Sequence, residues 1–406
     1  MKILYLAHRL PYPPNKGEKL RAFHQIRYLS KRHTLHLACL ADDPEDLEHI
    51  KTLETFCASV DVIYRSKAAA RRLGIMAIAN GKPLSLASFY LGELQRKIDQ
   101  RINTERVDVV YVFSAAMAEY VRHLRKIPKM IDFVDADSEK WRDYAQRHPL
   151  PMSWVYRLEA ERLARYESEA AGLFDRSIFI SEKEANLVRS RVNGVSISVI
   201  TNGVDTEFFH FKRACSIDSS RIVFTGTMDY FPNVDAVQYF CRDIFPLIKK
   251  DLPGASFDIV GRNPTRRVTK LARQPGVNIT GSVADIRPYL HRAAVAVAPF
   301  QLARGVQNKV LEAMATGVPV VGTSLAFQGL AVDAKSGIRK ADDPSLFARW
   351  VVALITDTGL RQRCSRQAVQ YVRAHHNWEE HGARLEQLIE EAVRGGAIHR
   401  EQVGIA

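Results

Sequence analysis

Cysteine is scarce in this sequence and forms no motif. The five cysteines are scattered along the chain without a CxxC pair. An odd, dispersed set predicts neither a disulfide framework nor a cysteine zinc site, and it indicates a reducing compartment. The 13 histidines contain no HExxH pattern or other paired spacing, so we expect neither a metal nor another cofactor.

Long apolar runs and dinucleotide motifs are also missing. No run reaches the roughly 18–20 residues needed to span a bilayer. The N-terminal MKILYLA is followed by HRLPYPP and by no small-residue cleavage site, so it is predicted to be a buried strand. We therefore expect a soluble cytoplasmic protein, either free or held at the inner face of the membrane. The absence of GxGxxG after the first strand argues against a dinucleotide-dependent dehydrogenase.

Positive charge, in contrast, is abundant. Lys and Arg number 58 against 45 Asp and Glu, which gives a formal net charge of +13 in 406 residues. Such an excess favours anionic partners, namely nucleic acid, membrane headgroups or phosphorylated small molecules. Nucleic acid is not expected, because the sequence has no zinc-finger spacing, no RNP-like aromatic motif and no basic region extended by heptads.

Part of this charge lies in local clusters of the N-terminal half. Residues 65–74 and 122–129 are basic, and residues 67–98 mix basic side chains with Leu, Ile, Met, Phe and Tyr. A basic amphipathic segment suits the anionic cytoplasmic face of a membrane, so 67–98 and 122–129 are candidate membrane contacts. The alternative is that both are ordinary solvated surfaces of the domain.

Short apolar runs alternate with helical patterns along the whole chain, which is typical of an α/β protein with parallel sheets. Most runs are continuously apolar, as expected for strands that are buried on both faces. The predicted strands are 2–8, 34–40, 60–64, 107–113, 129–135 and 176–181 in the first half, and 221–226, 256–261, 277–280, 294–300 and 318–323 in the second. Helical patterns include 17–32, 153–174 and 379–394, and we expect a frayed tail from Gly395.

The length of the chain and a seam near residues 196–220 predict two domains. A chain of 406 residues is too long for one ordinary core. The seam contains the turn signal Asn202-Gly203 and a polar stretch, after which the strand rhythm restarts. We expect two doubly wound, Rossmann-like domains facing across a cleft, residues 1–200 and 201–378, with 379–406 as a terminal helix and tail packed back on the first. Ligands of such folds bind beyond the carboxyl ends of the strands.

The segment ARGVQNKVLEAMATGVPVV (303–321) follows such a strand and holds one carboxylate in an otherwise apolar helix. The unpaired N–H groups at the start of that helix attract an anion, Gly305 permits its close approach, and Lys309 adds a positive charge. Glu312 lies about 6–10 Å further along the axis, which suits the ribose of a nucleotide whose diphosphate sits at the helix start. The alternative is that Glu312 is simply a good helix former at a rim position.

This segment resembles the nucleotide-sugar site of GT-B glycosyltransferases of the glycosyltransferase 4 family (group 1). In that family a helix with the pattern LEAMA-x-G-x-PVV holds the donor diphosphate at its N-terminus and the ribose with its glutamate. Six further segments match successive family segments in order, namely 11–31, 181–188, 199–209, 224–240, 258–262 and 279–300. FVDADSEKW (133–141) and PNVDAV (232–237) look closest to sugar transferases of bacterial exopolysaccharide loci, of the PEP-CTERM-associated type.

The resemblance implies a GT-B fold and a retaining transfer of a sugar from a nucleotide-diphosphate sugar to a glycan or polyprenyl-linked acceptor, without a metal. Together with the positions after the strands of the second domain, it gives the candidate donor contacts Arg304, Gly305, Val306, Gln307, Asn308, Lys309, Glu312, Gly226, Asn233, Gly261 and Arg262. In the first domain it points to Gly17, which opens the first helix, and to Asp135 or Asp137, which follow a strand close after Asp132. The alternatives there are a turn glycine and helix capping by Asp137 or Ser138.

Two features depart from the family pattern. Many members have a second glutamate eight residues before the first, but that position is Arg304 here. The segment TMDYFPN (227–233) also lacks the Arg and Lys that clamp the diphosphate in many relatives. We expect Arg304 and Lys309 to supply the missing charge. Two other functions stay open. One is a nucleotide-sugar 2-epimerase on the same fold, and the other, because Arg304 replaces a glutamate, is a noncatalytic nucleotide-sugar-binding protein.

Overall fold

The computed structural model describes residues 1–14, 17–66, 68, 81–211, 218–333 and 335–403. The chain divides into two compact units, Met1–Thr201 with Glu379–Ala406, and Asn202–Trp378. Residues 67 and 69–80 lie outside the described residues, and with them much of the candidate membrane contact 67–98. Within the described part of the chain, no helix is both long enough and apolar enough to cross a bilayer.

The first unit is built on a parallel sheet of seven strands whose spatial order is β3-β2-β1-β4-β5-β6-β7. Its longer strands are buried along almost their whole length, because helices cover both faces of the sheet. The strands are β1 (Lys2–Ala7), β2 (Thr34–Ala41), β3 (Ser59–Tyr64), β4 (Val109–Phe113), β5 (Lys129–Val134), β6 (Arg176–Phe179) and β7 (Ile197–Val199).

The second unit repeats this plan with a parallel sheet of six strands in the order β10-β9-β8-β11-β12-β13. In each sheet the chain reverses its direction of travel between two neighbouring strands, β1 and β4 in the first and β8 and β11 in the second. Ligands of open parallel sheets bind at the carboxyl ends of such a pair. The strands are β8 (Asp218–Thr225), β9 (Ser256–Val260), β10 (Val277–Gly281), β11 (Ala293–Ala298), β12 (Val320–Gly322) and β13 (Ile338–Lys340).

Helices connect the strands in both units. Those of the first unit are α1 (Gly17–Leu29), α2 (Ile50–Glu54), α3 (Leu84–Ala87), α4 (Gly92–Glu105), α5 (Asp137–Arg147), α6 (Met152–Leu173) and α7 (Glu182–Arg189). Those of the second are α8 (Phe231–Tyr239), α9 (Phe245–Asp251), α10 (Arg266–Thr269), α11 (Arg287–Arg292), α12 (Asn308–Ala315), α13 (Pro344–Thr356) and α14 (Thr358–His375). The last helix is α15 (Trp378–Val403), which belongs to the first unit from Glu379 onwards.

The terminal helix α15 packs against one face of the first sheet. Its buried residues Leu385, Leu388, Ile389 and Ala392 recur at helical spacing and join the core cluster of that face. Gly382 allows close approach to α1, since a Cβ at that position would lie 2.2 Å from the ring of Tyr28. The expected frayed tail from Gly395 is wrong, because the helix continues to Val403. A helix seeded by a packed amphipathic stretch extends cooperatively past its last buried residue.

Candidate functional site

Helix α12 begins at the carboxyl edge of the second sheet. The loop after β11 leads directly into it, and Val310, Leu311 and Met314 are buried as its spacing predicts. Among the described residues, no side chain caps its first N–H groups, because the residue before it, Gln307, instead donates from Nε2 to the carbonyl of Arg304 at 2.9 Å. These N–H groups therefore stay available to a ligand, and they form the positive end of the helix dipole.

The predicted loop residues take different positions around this helix start. Val306 is buried, although it precedes the helix and shares no face with it. Gly305 has a φ of 60°, a left-handed conformation that glycine adopts without strain. Asn308 is the first helical residue, and its Oδ1 accepts a hydrogen bond of 3.0 Å from Nδ2 of the buried Asn202. The turn signal found in the sequence thus contributes a side chain that fixes the beginning of α12.

A glycine directly follows each of the neighbouring strands β8 and β9. Gly261 directly follows β9, and a Cβ there would lie 1.7 Å from the carbonyl oxygen of Gly226. Gly226 directly follows β8, and its N–H donates to the carbonyl of Val260 at 3.0 Å. The two backbones are therefore in direct contact, and glycine is required at 261 to allow it. This contact lies just past the carboxyl end of the switch-point strand β8.

Lys309 extends from the first turn of α12 toward Gly226 at the end of β8. Its Nζ hydrogen-bonds Oδ1 of Asn233 at 2.5 Å and lies 4.6 Å and 5.0 Å from the ring centroids of Phe224 and Phe300. Burial lowers the pKa of the Lys309 ammonium group to about 7, a shift that nearby Glu312 partly opposes. A Cβ on Gly226 would lie only 2.7 Å from Nζ. The lysine thus reaches the 227–233 segment, which lacks a basic side chain of its own.

Glu312 is half-buried one turn after the start of α12. Burial raises the pKa of its carboxyl group to about 7, and the charge of Lys309 acts in the opposite direction. Among the described residues, no hydrogen-bond donor is within reach of the Glu312 side chain, although its backbone carbonyl continues the helix. A carboxylate in this position can accept hydrogen bonds from a pair of vicinal hydroxyl groups. The ribose contact and the alternative of a helix former at a rim position both stay predictions.

Arg304 and Arg262 are the two arginines among the predicted donor contacts. Arg304 is half-buried in the loop before α12, where its carbonyl accepts from Gln307. Arg262 follows Gly261, and its carbonyl accepts from the N–H of Met228 at 2.8 Å. Nη2 of Arg262 is buried without a hydrogen-bond partner among the described residues. Arg262 therefore has donor capacity left for a ligand, whereas the role of Arg304 stays a prediction.

In the first unit, Asp132 belongs to the core and not to a ligand site. It lies within β5 and is fully buried, and its Oδ2 accepts from Arg21, Gln25 and Tyr111 at 2.9, 2.9 and 3.0 Å. A buried carboxylate is tolerated only when such partners replace its lost hydration. Asp132 therefore joins α1 to the sheet and is not available for chemistry.

Asp135 has the opposite environment, although it is only three residues further on. It follows the end of β5, where Val134 adopts a φ of 67°, a strained value for a β-branched residue. Its Oδ1 is buried without a hydrogen-bond partner among the described residues. Burial, together with the charges of Glu184 and Asp137, raises the pKa of Asp135 to about 7. A carboxyl group with this pKa can exchange a proton near neutral pH.

Asp137 is the first residue of α5, and capping does not explain it. The residue before the helix is Ala136, and among the described residues no side chain caps this helix start. Ser138 is also engaged elsewhere, since its N–H and Oγ donate to the buried Glu167 at 2.8 and 2.5 Å. The capping alternative is therefore wrong for both residues. Burial raises the pKa of Asp137, and the carboxylates of Glu159 and Glu18 add to this effect.

Gly17 opens α1, as the sequence predicts, and it is exposed. Its neighbour Glu18 forms an ion pair with Arg9 at 2.5 Å, and this pairing lowers the pKa of Glu18 against the effect of burial. Helix α1 follows β1 and helix α5 follows β5 in one parallel sheet, so both helix starts lie at its carboxyl edge. The structure thus groups all three first-unit candidates at one edge of the sheet.

Sequence reasoning missed His8, which follows β1 at the switch point of the first sheet. Its ring stacks on Phe113 with a centroid distance of 6.0 Å, and Nδ1 is buried without a partner among the described residues. Burial lowers the pKa of His8 to about 4, and the nearby Arg9 contributes. The position directly after the first strand was the available signal. Within the described residues, no group of three His, Cys, Asp or Glu side chains is arranged to hold a metal ion.

The fold of two doubly wound parallel sheets is that of the GT-B glycosyltransferases, and comparison with solved structures supports this. Sucrose-phosphate synthase from Thermosynechococcus elongatus is 15% identical, with a TM-score of 0.73 over 97% of this chain and all of that one. The Anabaena protein HepE in complex with UDP is also 15% identical, with a TM-score of 0.67 over 96% of this chain and all of that one. At such identities the likeness establishes the fold alone.

Sequence comparison identifies the family. Residues 20–208 match the model described as Glycosyltransferase Family 4, and residues 219–357 match the model described as Glycosyl transferases group 1. An uncharacterized 44.6 kDa protein in the cps region of Klebsiella pneumoniae is 20% identical over 371 residues, which are 86% of this chain and 90% of that protein. The chain belongs to the group 1 glycosyltransferases of the glycosyltransferase 4 family, and it is an enzyme of glycosyl transfer.

Proposed function

We propose that this enzyme transfers a sugar, with retention of anomeric configuration, from a nucleotide-diphosphate sugar to a glycan or polyprenyl-linked acceptor of an exopolysaccharide. The observation that carries the donor part is the position of Lys309. Its ammonium group lies at the end of strand β8 beside Gly226 and bonds Asn233, and Lys309 precedes Glu312 by about one helical turn. The start of α12 thus combines unpaired N–H groups, a cation and a carboxylate at the spacing of a nucleoside diphosphate.

In this proposal the helix start and Lys309 hold the diphosphate, and Glu312 accepts hydrogen bonds from the ribose hydroxyls. When the bond to the sugar breaks, negative charge develops on the leaving diphosphate. The fixed N–H groups and the ammonium group stabilise that charge without having to reorganise. Arg262, with its unpartnered Nη2, is assigned to the nucleotide, and Arg304 is assigned to the charge that the missing glutamate and clamp would otherwise provide.

The first unit is proposed to bind the acceptor. Asp135 and Asp137 are carboxyl groups with raised pKa values at the end of β5, and Asp135 has an oxygen with no partner among the described residues. We assign Asp135 to a hydroxyl group of the acceptor or of the transferred sugar, and Asp137 to the same region. Gly17 is assigned to close approach by the ligand. The Klebsiella relative from a cps region and the HepE complexes with UDP and UDP-glucose support a polysaccharide setting and a nucleotide-sugar donor.

A polyprenyl-linked acceptor would place the enzyme at an anionic membrane surface. The candidate contact 67–98 lies largely outside the described residues. In the candidate contact 122–129, Lys129 is buried and donates from Nζ to the carbonyl of Leu124 at 2.8 Å. Arg122 pairs with Glu119 and Glu169. Much of that cluster therefore serves the fold, and any membrane contact made there has to come from its remaining basic residues.

The first experiment is a thermal-shift titration with UDP, GDP and ADP. We expect one diphosphate to stabilise the wild-type protein and expect Glu312→Ala and Lys309→Met to lose that stabilisation. Matched controls are Glu207→Ala and Lys250→Met, which change exposed residues of the same unit and should leave the shift unchanged. No shift with any diphosphate, or equal shifts in all variants, would contradict the assigned donor site.

The reaction itself is tested with the matching nucleotide sugar and the polysaccharide acceptor of the host, by proton NMR of the anomeric signal. Retention is expected, so that the product first formed has the anomeric configuration of the donor. Inversion would refute the proposed stereochemistry. Conversion of the donor sugar without acceptor would indicate the epimerase, and binding without any turnover would indicate a binding protein.

A further inference from the structure

The turn between helices α5 and α6 exposes an unusual amount of apolar surface. Leu150 is 78% exposed, Trp154 is 61% exposed and Met152 is 42% exposed, and all three belong to the segment PLPMSW (149–154), called here the PLPMSW tip. Leu150 and Trp154 are the most exposed large apolar side chains among the described residues. Exposed apolar residues are normal when single, but a group at one tip indicates a binding surface.

The exposure does not come from a loosely packed turn. Beneath the tip, Trp141 and Tyr144 of α5 pack with Tyr156 of α6 at ring-centroid distances of 5.3 and 6.0 Å. His148 lies 5.1 Å from Tyr156, and its Nδ1 is 2.9 Å from the carbonyl oxygen of Tyr144. This aromatic layer fills the space between the helices. The apolar side chains of the tip therefore remain outside a hairpin whose own interior is complete.

Positive charge surrounds the tip. The two helices next to it carry three exposed arginines, Arg142, Arg147 and Arg157. The acidic residue between positions 142 and 157, Asp143, is half-buried. Arg142 keeps 47% of its side chain exposed although it pairs with Glu139. The net charge of the chain is +13. An apolar tip in a basic setting is complementary to a bilayer that carries anionic headgroups, because the arginines contact phosphates while the tip enters the interface.

We propose that the PLPMSW tip inserts into the interface of an anionic bilayer, with Arg142, Arg147 and Arg157 on lipid phosphates. Tryptophan suits this depth because its ring is apolar and its N–H remains a hydrogen-bond donor. The inference rests on the proposed function, since a polyprenyl-linked acceptor is presented at such a surface. It differs from the expectation drawn for residues 67–98 and 122–129 by naming another part of the first unit.

The test measures binding of the purified protein to sedimenting vesicles of phosphatidylcholine alone and of phosphatidylcholine with about one third phosphatidylglycerol. We expect binding to the anionic vesicles, weakened at high salt, and little binding to the neutral ones. The variant Leu150→Ser with Trp154→Ser should bind the anionic vesicles about tenfold or more weakly. The tryptophan fluorescence of the wild type should shift to shorter wavelength on binding, and this shift should be absent when Trp154 is replaced by Ser.

Two controls separate insertion from general attraction. Leu247→Ser removes an exposed leucine from the second unit, and Arg366→Ser removes an exposed arginine there; both should bind like the wild type. The proposal is overturned if the tip variant binds as well as the wild type, if the controls lose as much binding, or if no vesicle binds. Self-association through the tip without vesicle binding would identify a second copy as its partner and would also overturn the proposal.

The design also separates this proposal from the proposed function. Vesicle binding is measured without donor or acceptor, and the thermal shift with a nucleoside diphosphate reports on the second unit. Normal diphosphate binding with an inert tip would refute the membrane contact alone. Tip-dependent vesicle binding without any diphosphate shift would refute the donor site and leave the membrane contact standing.

Discussion

Gly226 and Lys309 occupy adjoining space at the end of strand β8, where a Cβ on Gly226 would lie 2.7 Å from Nζ of the lysine. The two residues are 83 positions apart in the chain, and only the parallel order of β8 and β11 brings them together. Through this contact a cation that the 227–233 segment lacks is supplied from helix α12. The contact links the glycine, the lysine and the proposed diphosphate site.

Alanine at the two glycines should have effects of different size. Gly261→Ala places a Cβ 1.7 Å from a backbone oxygen, which cannot move aside, so we expect a loss of about 2 kcal/mol or more in the free energy of unfolding. Gly226→Ala meets only the end of the Lys309 side chain and Nδ2 of Asn233. It should reduce diphosphate binding with a smaller loss of stability.

Chemical denaturation and the diphosphate thermal shift measure these two effects. Gly254→Ala is the matched control, because a Cβ at Gly254 meets nothing within 4 Å. Equal behaviour of Gly254→Ala and Gly261→Ala would show that the backbone contact has no importance for the fold.

Diphosphate binding should depend on pH with a maximum near neutrality. The pKa of Lys309 is lowered to about 7, so the ammonium group is lost as the pH rises above that value, and attraction for the diphosphate falls. The pKa of Glu312 is raised to about 7, so its carboxylate is lost as the pH falls below that value, and it can accept fewer hydrogen bonds from the ribose. Affinity should decline on both sides.

Single variants show which residue causes the decline in affinity at high pH and which causes the decline at low pH. Lys309→Met should weaken binding and remove the decline at high pH, and Glu312→Gln should remove the decline at low pH. Calorimetric titration with the preferred diphosphate between about pH 5.5 and 8.5 gives the profile. A wild-type affinity that is independent of pH across this range would show that neither group titrates in the donor-free site.

Asp135→Asn should reduce sugar transfer and leave donor binding intact. The amide keeps the size of the carboxyl group but cannot take or release a proton, so we expect a rate loss of about 100-fold or more. The thermal shift with the diphosphate should be unchanged, since Asp135 belongs to the other unit. Initial rates of transfer and the thermal shift are the measurements.

Asp132→Asn provides the contrast, because it is an equally small change three residues away. It removes the charge opposite the buried Arg21, whose Nε lies 2.9 Å from Asp132. Loss of one member of a buried ion pair should cost about 3 kcal/mol of stability. If Asp135→Asn lowered stability as much as Asp132→Asn while transfer per folded molecule stayed normal, Asp135 would be structural.

Glu167→Gln should change how stability depends on pH. Burial raises the pKa of Glu167 to about 7, so the folded state favours the protonated acid. The resulting stabilisation is present below the ordinary pKa of a glutamate and is lost as the pH rises through about 7. Relative to the variant, the wild type should lose at most about 3 kcal/mol between pH 4.5 and 7.5.

Glutamine suits this experiment because it can keep both contacts with Ser138, accepting from the N–H and donating to Oγ. Glu161→Gln, an exposed change on the same helix, is the control. Denaturant unfolding at several pH values tests the prediction. Parallel curves for the wild type and Glu167→Gln would mean that Glu167 has no raised pKa in the folded state.

The strands could be predicted from the sequence because apolar runs buried on both faces leave a clear local signal. The short edge strands β7 and β13 were missed, since three residues with partial exposure carry little of that signal. The helix within 303–321 was predicted, and it spans Asn308–Ala315, because a glycine-containing loop precedes it and Gly317 follows it. The extent of the last helix was not predictable, since two adjacent glycines there favour an end that cooperative extension from the packed part of the helix overrides.

The candidate site was only partly accessible to such reasoning. Glu312, Lys309 and the glycines at 226 and 261 were found from local patterns. The sequence placed Asp132 and Asp135 in the same predicted strand, 129–135, and did not show how differently the two carboxylates are surrounded. The difference arises from side chains far away in sequence, because Arg21, Gln25 and Tyr111 converge on the first carboxylate and leave the second without such partners.

The sequence by itself determined the alternation of strands and helices, the two-domain plan and the family, because these depend on local periodicity and on motifs that stay contiguous in the chain. The tertiary structure alone decided which charged groups are engaged in the fold and which are available to bind a ligand. Burial and long-range partners set that outcome: they engage Asp132 and Lys129 in the fold and aim Lys309 at Asn233. They leave Oδ1 of Asp135 without a partner among the described residues, Glu312 half-buried and the PLPMSW tip exposed. Desolvation depends on neighbours in space, and a sequence does not state them.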